Sequence, residues 1–429
     1  MFPAPRFPAL YQINTRLWLG QLAAEAGRPI GLAEVLDEEL DALAAMGFDW
    51  VWLLSVWETG AAGRVVSQSS SVWRQAFEHA LPDLADDDIC GSGFAIKDYQ
   101  VSSTLGGADG LANFRARLAT RGIRLMLDFV PNHTALDHRW VWERPDFYVA
   151  GTLDDIDTRP GFFAEVETSR GRSVLAHGRD PNFPGWPDTL QLNYGNPDLQ
   201  TELIAELTSI AGMCDGVRCD MAMLVLPDIF RRTWEIEAAA FWPSAIQATR
   251  RLFPKFSFVA EVYWDLEWEL QQQGFDFCYD KRLYDRLIGG NAASVRDHLA
   301  ADTAYQDKLV RFLENHDEEP AASRFPVGMH MAAAVITHLA PVLVCFTTGN
   351  WPERPSAFRP TFVEVPSSKG GLRSSRSIGR CFRCCHATSF GPGPGSRSTP
   401  NRLGMAIHPI RISSPDCGHM SLADAIWSS

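Results

Sequence analysis

No stretch of about 18 uncharged apolar residues occurs anywhere in the chain, so no membrane-spanning helix is expected. The opening MFPAPRFPALYQINTR lacks the basic n-region and the following apolar run of a signal peptide, and a cytoplasmic protein is expected. Positive charge is in short supply. With 39 Lys and Arg against 52 Asp and Glu the net charge is -13, which argues against nucleic acid and anionic membranes as partners, since both present negative charge themselves. The nine cysteines are odd in number and follow no disulfide framework, so reduced thiols are expected. Apolar residues, by contrast, make up 46% of the 429, enough for one large barrel or two average domains.

Short β-branched or aromatic runs alternate with helical patterns from about residue 10 to about residue 345, the signature of repeated βα units around a parallel sheet. The candidate strands are residues 10–19, 48–56, 124–130, 215–221, 256–264, 275–280, 309–315 and 342–348. Helical segments such as LDEELDALAAMG and LANFRARLATRG lie between them, several closing on Gly as a helix C-terminus does. This pattern predicts a (β/α)8 TIM barrel, an α/β fold whose active residues sit at the C-terminal ends of the strands. Two connections are long, 57–110 after the second strand and 135–197 after the third, and both should overhang that face. We divide the chain into residues 1–134, the first part of the barrel; 135–197, an inserted subdomain; 198–348, the rest of the barrel; and 349–429, an atypical low-complexity tail.

The tail reverses the charge balance. From residue 342 onward there are ten Lys or Arg against four Asp or Glu, whereas the residues before hold 29 against 48. Cysteines crowd there and apolar periodicity is lost, as in disordered sequence. CFRCCH at 381–386 lacks the paired ligands of a zinc site. Together these features give the expectation of a changed coding frame near residue 341, a barrel without a convincing eighth helix, and a wall left incomplete there.

Four predicted strand ends carry charged or imidazole groups where a strand should be apolar: DFVPNHT (128–134), GVRCDMAM (216–223), FVAEVYW (258–264) and FLENHDEEP (312–320). In a barrel these ends converge, which would bring Asp220, Glu261 and Asp317 into one pocket. Three carboxylates repel one another and raise at least one pKa unless a cation compensates. Arg218 is the natural compensator, because period two puts residues 218 and 220 on the same side of their strand. A carboxylate held ionised beside one held protonated is what retaining glycoside hydrolysis requires. Asp220 would be the nucleophile. Glu261, flanked by Val259, Ala260, Val262 and Tyr263, would be the acid and base.

The four segments resemble, in order and spacing, the four sequence regions of the alpha-amylase family, glycoside hydrolase family thirteen, over about residues 10 to 340. The resemblance implies roles residue by residue. Asp220 matches the nucleophile, Glu261 the general acid and base, and Asp317 the third carboxylate. Arg218 matches the arginine beside the nucleophile, and His133 and His316 match two histidines that bind sugar hydroxyls. Asp128 matches a mainly structural aspartate. The reading requires no cofactor; Asn132 matches a residue that ligates calcium in some members, and no cluster of oxygen ligands can be assigned around it. The implied activity is that of a retaining alpha-glycosidase or transglycosylase acting on an oligosaccharide or other alpha-linked glucoside.

The sequence departs from the family pattern in three places. Phe94 stands where many members have a tyrosine that stacks on the sugar, VSSTLGG (101–107) lacks a common acidic residue, and Gln191-Leu192 replaces a frequent Asp-Leu. Among the tryptophans, Trp50 and Trp52 read as buried within the second strand, while Trp57, Trp186 and Trp264 are candidates for the pocket rim, Trp264 as a substrate-binding residue. In isolation Arg218 with Asp220 would read equally well as a buried ion pair fixing strand register. The alternative for the whole chain is a non-catalytic carbohydrate-binding or scaffold protein. Linkage, chain length and oligomeric state are not legible in the sequence.

Overall fold

A computed structural model describes residues 7–340 and 342–347. Eight short strands form its centre: β1 (Ala9–Asn14), β2 (Trp50–Leu54), β3 (Arg124–Phe129), β4 (Gly216–Cys219), β5 (Ser257–Ala260), β6 (Phe277–Tyr279), β7 (Leu309–Arg311) and β8 (Leu343–Thr347). They are largely buried on both faces, as parallel strands ringed by helices must be, and so read as continuous rather than alternating apolar runs. All pair in parallel with their sequence neighbours, and β8 returns to β1 to close the barrel.

The strands close, while the residues where an eighth helix would follow, on which the expectation of an incomplete wall turned, lie outside the described residues. Ala9 to Gln12 of β1 face Val344 to Thr347 of β8, and Leu343 of β8 faces Val310 of β7. The sheet is therefore whole, while the expected tail and the CFRCCH segment lie outside the described residues.

A second expectation is corrected at the start of the barrel, where residues 10–19 do not form one strand. Asn14 ends β1 and caps a helix over Thr15–Ala26, its Oδ1 accepting from the Leu17 amide at 3.2 Å. Thr15, Trp18, Leu19 and Leu22 are the buried residues of that helix, and their spacing turns with a 3.6-residue period that an extended reading overlooks.

Both long connections fold over the C-terminal end of the barrel. In the first, Trp57–Thr59 pairs antiparallel with Ile96–Val101, and between them stand two helices, α1 (Ala61–Ser69) and α2 (Ser71–Ala80). In the second, His133–Ala135 pairs with Thr189–Gln191, and a hairpin joins Phe163–Thr168 to Gly171–Ala176. Tyr99 ties the first connection to the end of β3, donating to the Val130 carbonyl at 3.1 Å and accepting from its amide at 2.9 Å. Gly178 lets the second approach closely, since a Cβ there would lie 2.8 Å from both His133 Cβ and Thr189 Oγ1.

Register then sets which side chains meet. Arg218 of β4 faces Asp128 of β3 on one side and Val259 of β5 on the other. The ladder continues past the strand ends, with the Asp220 amide donating to the Phe129 carbonyl at 2.8 Å and the Glu261 amide to the Cys219 carbonyl at 3.0 Å. Asp220 and Glu261 are thus positioned by backbone hydrogen bonds, not by flexible loops.

Candidate active site

At the axis of the C-terminal face, Arg218 is buried, and its guanidinium reaches two carboxylates at once. Nη1 lies 2.7 Å from Asp220 Oδ1 and Nη2 lies 2.7 Å from Glu261 Oε2, with Asp128 Oδ1 at 3.8 Å. The sequence reading assigns Arg218 to Asp220 alone; the structure gives it to both. A planar fork with five donors can do this where an ammonium could not. The rings of Phe94, Trp52 and Tyr279 lie 5.2, 5.3 and 5.8 Å from the guanidinium carbon.

The electrostatics follow from burial. Asp220 is pushed above the ordinary carboxyl range by desolvation, pulled back by Arg218, and pushed up again by Asp317. Glu261 is raised for the same first reason, with Arg218 opposing and Asp220 adding to the rise. It also accepts from the Met221 amide at 2.7 Å and the Tyr263 hydroxyl at 2.9 Å, both of which favour its ionised form. Asp317 is the most open of the set. Burial and then Glu261 push it up to about 6, but its side chain is 48% exposed, so water screens part of that push. Asp128 is pushed up to about 7 by burial and accepts from Trp52 Nε1 at 3.1 Å and the Ser55 amide at 3.0 Å, which makes it a brace between β2 and β3.

The two histidines are neutral donors or acceptors at physiological pH. Burial pushes His133 down to about 4, and its ring packs on Trp186 with centroids 5.1 Å apart. His316 is held well below its ordinary value by burial and then by Arg218. Its Nδ1 is 2.7 Å from Gln12 Nε2, an amide donor, so the ring proton sits on Nε2, 3.2 Å from Asp317 Oδ2. Phe94 stacks on the same ring at 5.4 Å. Asp317 itself is set by a turn in which Asn315 Oδ1 accepts from the amides of Asp317 and Glu318 at 2.9 and 3.0 Å.

One cavity of about 740 Å³ gathers Phe94, His133, Asp220, Glu261, His316 and Asp317, within the ~300–1,000 Å³ range of small-molecule sites. Arg218 lies beneath its floor. Trp186 lines the cavity, but Trp57 and Trp264 do not. Trp57 is fully buried and donates through Nε1 to the Asp128 carbonyl at 2.8 Å. Trp264 and Asp265 both take left-handed backbone, φ 61° and 65°, and Asp265 pairs with Arg282, so the loop after β5 carries Trp264 away from the axis. Tyr263, its neighbour in sequence, lines the cavity instead.

Sequence reasoning misses Gln12, Tyr263 and Asp188. Gln12 is one polar residue in an apolar strand, a signal that was available. Asp188 is a buried carboxyl, raised by desolvation, that the second connection brings to the cavity, and nothing local in the sequence marks it.

The calcium position implied by Asn132 does not fit a cation. Gln191 Nε2 donates to the Asn132 carbonyl at 2.9 Å, to Asn132 Oδ1 at 3.0 Å and to the Leu192 carbonyl at 3.1 Å. The oxygens a calcium ion would need are already turned toward an N–H donor, and no group of three or more His, Cys, Asp or Glu able to hold a metal occurs among the described residues.

Comparison with known proteins bears on the fold that carries this arrangement. A family model described as "Alpha amylase, catalytic domain" matches residues 24–157. The alpha-amylase MalA of Haloarcula japonica is 21% identical over 318 residues, covering 72% of this chain and 38% of that protein. The trehalose synthase/amylase TreS of Mycolicibacterium smegmatis is 30% identical over 169 residues, covering 35% of this chain and 27% of that protein. The chain thus spans well under half the length of these curated relatives. Among solved structures, a noncanonic maltogenic alpha-amylase AmyB from Thermotoga neapolitana superposes with a TM-score of 0.56 at 20% identity, covering 89% of this chain and 77% of that one. An alpha-amylase from Lactobacillus plantarum does so with a TM-score of 0.55 at 22% identity, covering 80% and 71%. With its four motifs in order at the ends of a closed eight-stranded barrel, the chain is similar to the alpha-amylase family over these stretches.

Proposed function

We propose that the protein is a retaining alpha-glycosidase or transglycosylase acting on alpha-linked glucosides. The observation that carries this reading is the pair Asp220 and Glu261, held by one buried guanidinium at the floor of a cavity that also gathers Asp317, His133 and His316. Two carboxylates on one rigid fork are neighbours, which suits the separation of about 5–5.5 Å in retaining enzymes better than the ~6.5–9.5 Å gap that admits an inverting water.

In the first step, Asp220 forms a bond to the anomeric carbon as the glycosidic C–O bond breaks, and the proton of Glu261 passes to the departing oxygen. In the second, Glu261 takes a proton from water or from another hydroxyl, which attacks the same carbon and releases Asp220. Burial and the neighbouring Asp220 charge push Glu261 up, the direction an acid needs, while the Arg218 guanidinium lies against both carboxylates and favours the anion that the nucleophile must be. Asp317 and neutral His133 and His316 are placed to bind sugar hydroxyls. Hydrolysis and transfer share all these residues.

The test is turnover of alpha-glucosyl fluoride by wild type, Asp220→Asn and Glu261→Gln. Fluoride needs little protonation to leave, so Glu261→Gln should form the intermediate in a burst and then stall, whereas Asp220→Asn should be inert. An Asp220→Asn protein that keeps wild-type turnover would end the proposal.

A further inference from the structure

The cavity has two unlike sides. One carries the carboxylates and histidines just described. The other comes from the first connection: Trp73 and Phe77 stand four residues apart on α2 and so share a face, and Leu81, Leu84 and Ile89 follow in the turn beyond it. This side offers little for a second sugar to bond with. Its polar side chains are few: Asp88 Oδ2 accepts from the Ala85 amide at 2.7 Å, Ser92 Oγ accepts from the Phe94 amide at 3.2 Å, and Ser67 is buried. Sugar hydroxyls placed against leucine and isoleucine would lose water without gaining partners.

Resting on the sugar site proposed above, we propose that this wall receives an apolar aglycone or acceptor, so that the preferred ligands are alpha-glucosides of alkyl or aryl alcohols. The wall and the reacting carboxylates line one cavity, which puts such a group in the same space as the reacting bond. The exposure of Leu81, at 40%, leaves an apolar surface to be covered by what binds there. Bond changes are those already given: the alkyl or aryl alcohol leaves with the proton of Glu261, or attacks in the reverse sense when it is the acceptor.

The experiment is calorimetric titration of Asp220→Asn, in which turnover cannot interfere, with methyl and hexyl alpha-glucoside. Hexyl alpha-glucoside should bind at least tenfold more tightly than the methyl compound, and Phe77→Ser should remove most of that ratio. Leu81→Ser, at a partly exposed position that tolerates polarity, should lower it as well and guards against a Phe77→Ser protein that fails to fold. Equal affinity for the two glucosides would overturn the inference, as would a ratio that survives both substitutions. Because binding is read without catalysis, its failure is distinct from failure of the enzymatic reading, which turnover of alpha-glucosyl fluoride decides separately.

Discussion

Replacing Arg218 by methionine, Arg218→Met, keeps most of the side-chain length and removes the cation that, among the described residues, faces Asp220, Glu261 and Asp128. These three side chains are 8%, 3% and 2% exposed, so water cannot substitute for the lost charge. Removing one partner from a buried ion pair costs about 3–5 kcal/mol. The cost should depend on pH with a definite sign. Arg218 lowers the pKa of each of the three carboxyls, so its loss lifts their folded values further above the unfolded values of about 3.9 for Asp and 4.3 for Glu. A carboxyl raised in the folded state is most compatible with folding below its unfolded pKa, and stability drains away as pH rises through the folded value. Asp128 already stands at about 7 with the arginine in place, so the window runs from mildly acidic pH to beyond neutrality. At ~1.36 kcal/mol per pKa unit, a loss of ~3–5 kcal/mol corresponds to roughly 2–4 units shared among the three groups. Urea unfolding followed by tryptophan fluorescence at pH 5 and pH 8 reads this directly. The gap between wild type and Arg218→Met should be wide at pH 8 and narrow clearly at pH 5. A gap equal at both pH values would refute the argument, because it would mean that Arg218 acts through packing and not through charge.

Tyr263→Phe removes a hydrogen bond that favours ionised Glu261, so the alkaline limb of the kcat/KM profile should move to higher pH; an unmoved limb would detach Tyr263 from the acid and base. Chelation should leave Tm unchanged, since Gln191 occupies the oxygens of Asn132, and a clear drop in Tm with chelator would show that a cation is held there after all. Gly178→Ala places a Cβ 2.8 Å from His133 Cβ, so KM for a glucoside should rise several-fold more than kcat falls, and an unchanged KM would show that His133 does not depend on this contact. Asp317→Asn removes a carboxyl that pushes Asp220 up, and this effect should appear as a shift of the acidic limb to lower pH.

The sequence by itself determined the repeated βα pattern, the four strand ends that carry charge, and therefore the identity of the groups that meet: Asp220, Glu261, Asp317, Arg218, His133 and His316. These are legible because a barrel converts strand-end position into spatial convergence, whatever the distance in sequence. Phe94 was legible only through the family resemblance, as the ring standing where many members have a tyrosine. The sharing of Arg218 between two carboxylates was not. It depends on the β4–β5 register and on backbone bonds past the strand ends, which no single strand encodes. That Tyr263 and not Trp264 lines the pocket was likewise not legible, since the left-handed backbone at Trp264 and Asp265 leaves no mark in the local pattern. Asp188 and the apolar wall of α2 reached the cavity only because two insertions fold back over the barrel mouth. Local pattern fixes what each segment offers, and tertiary packing decides which of those offers face the same space.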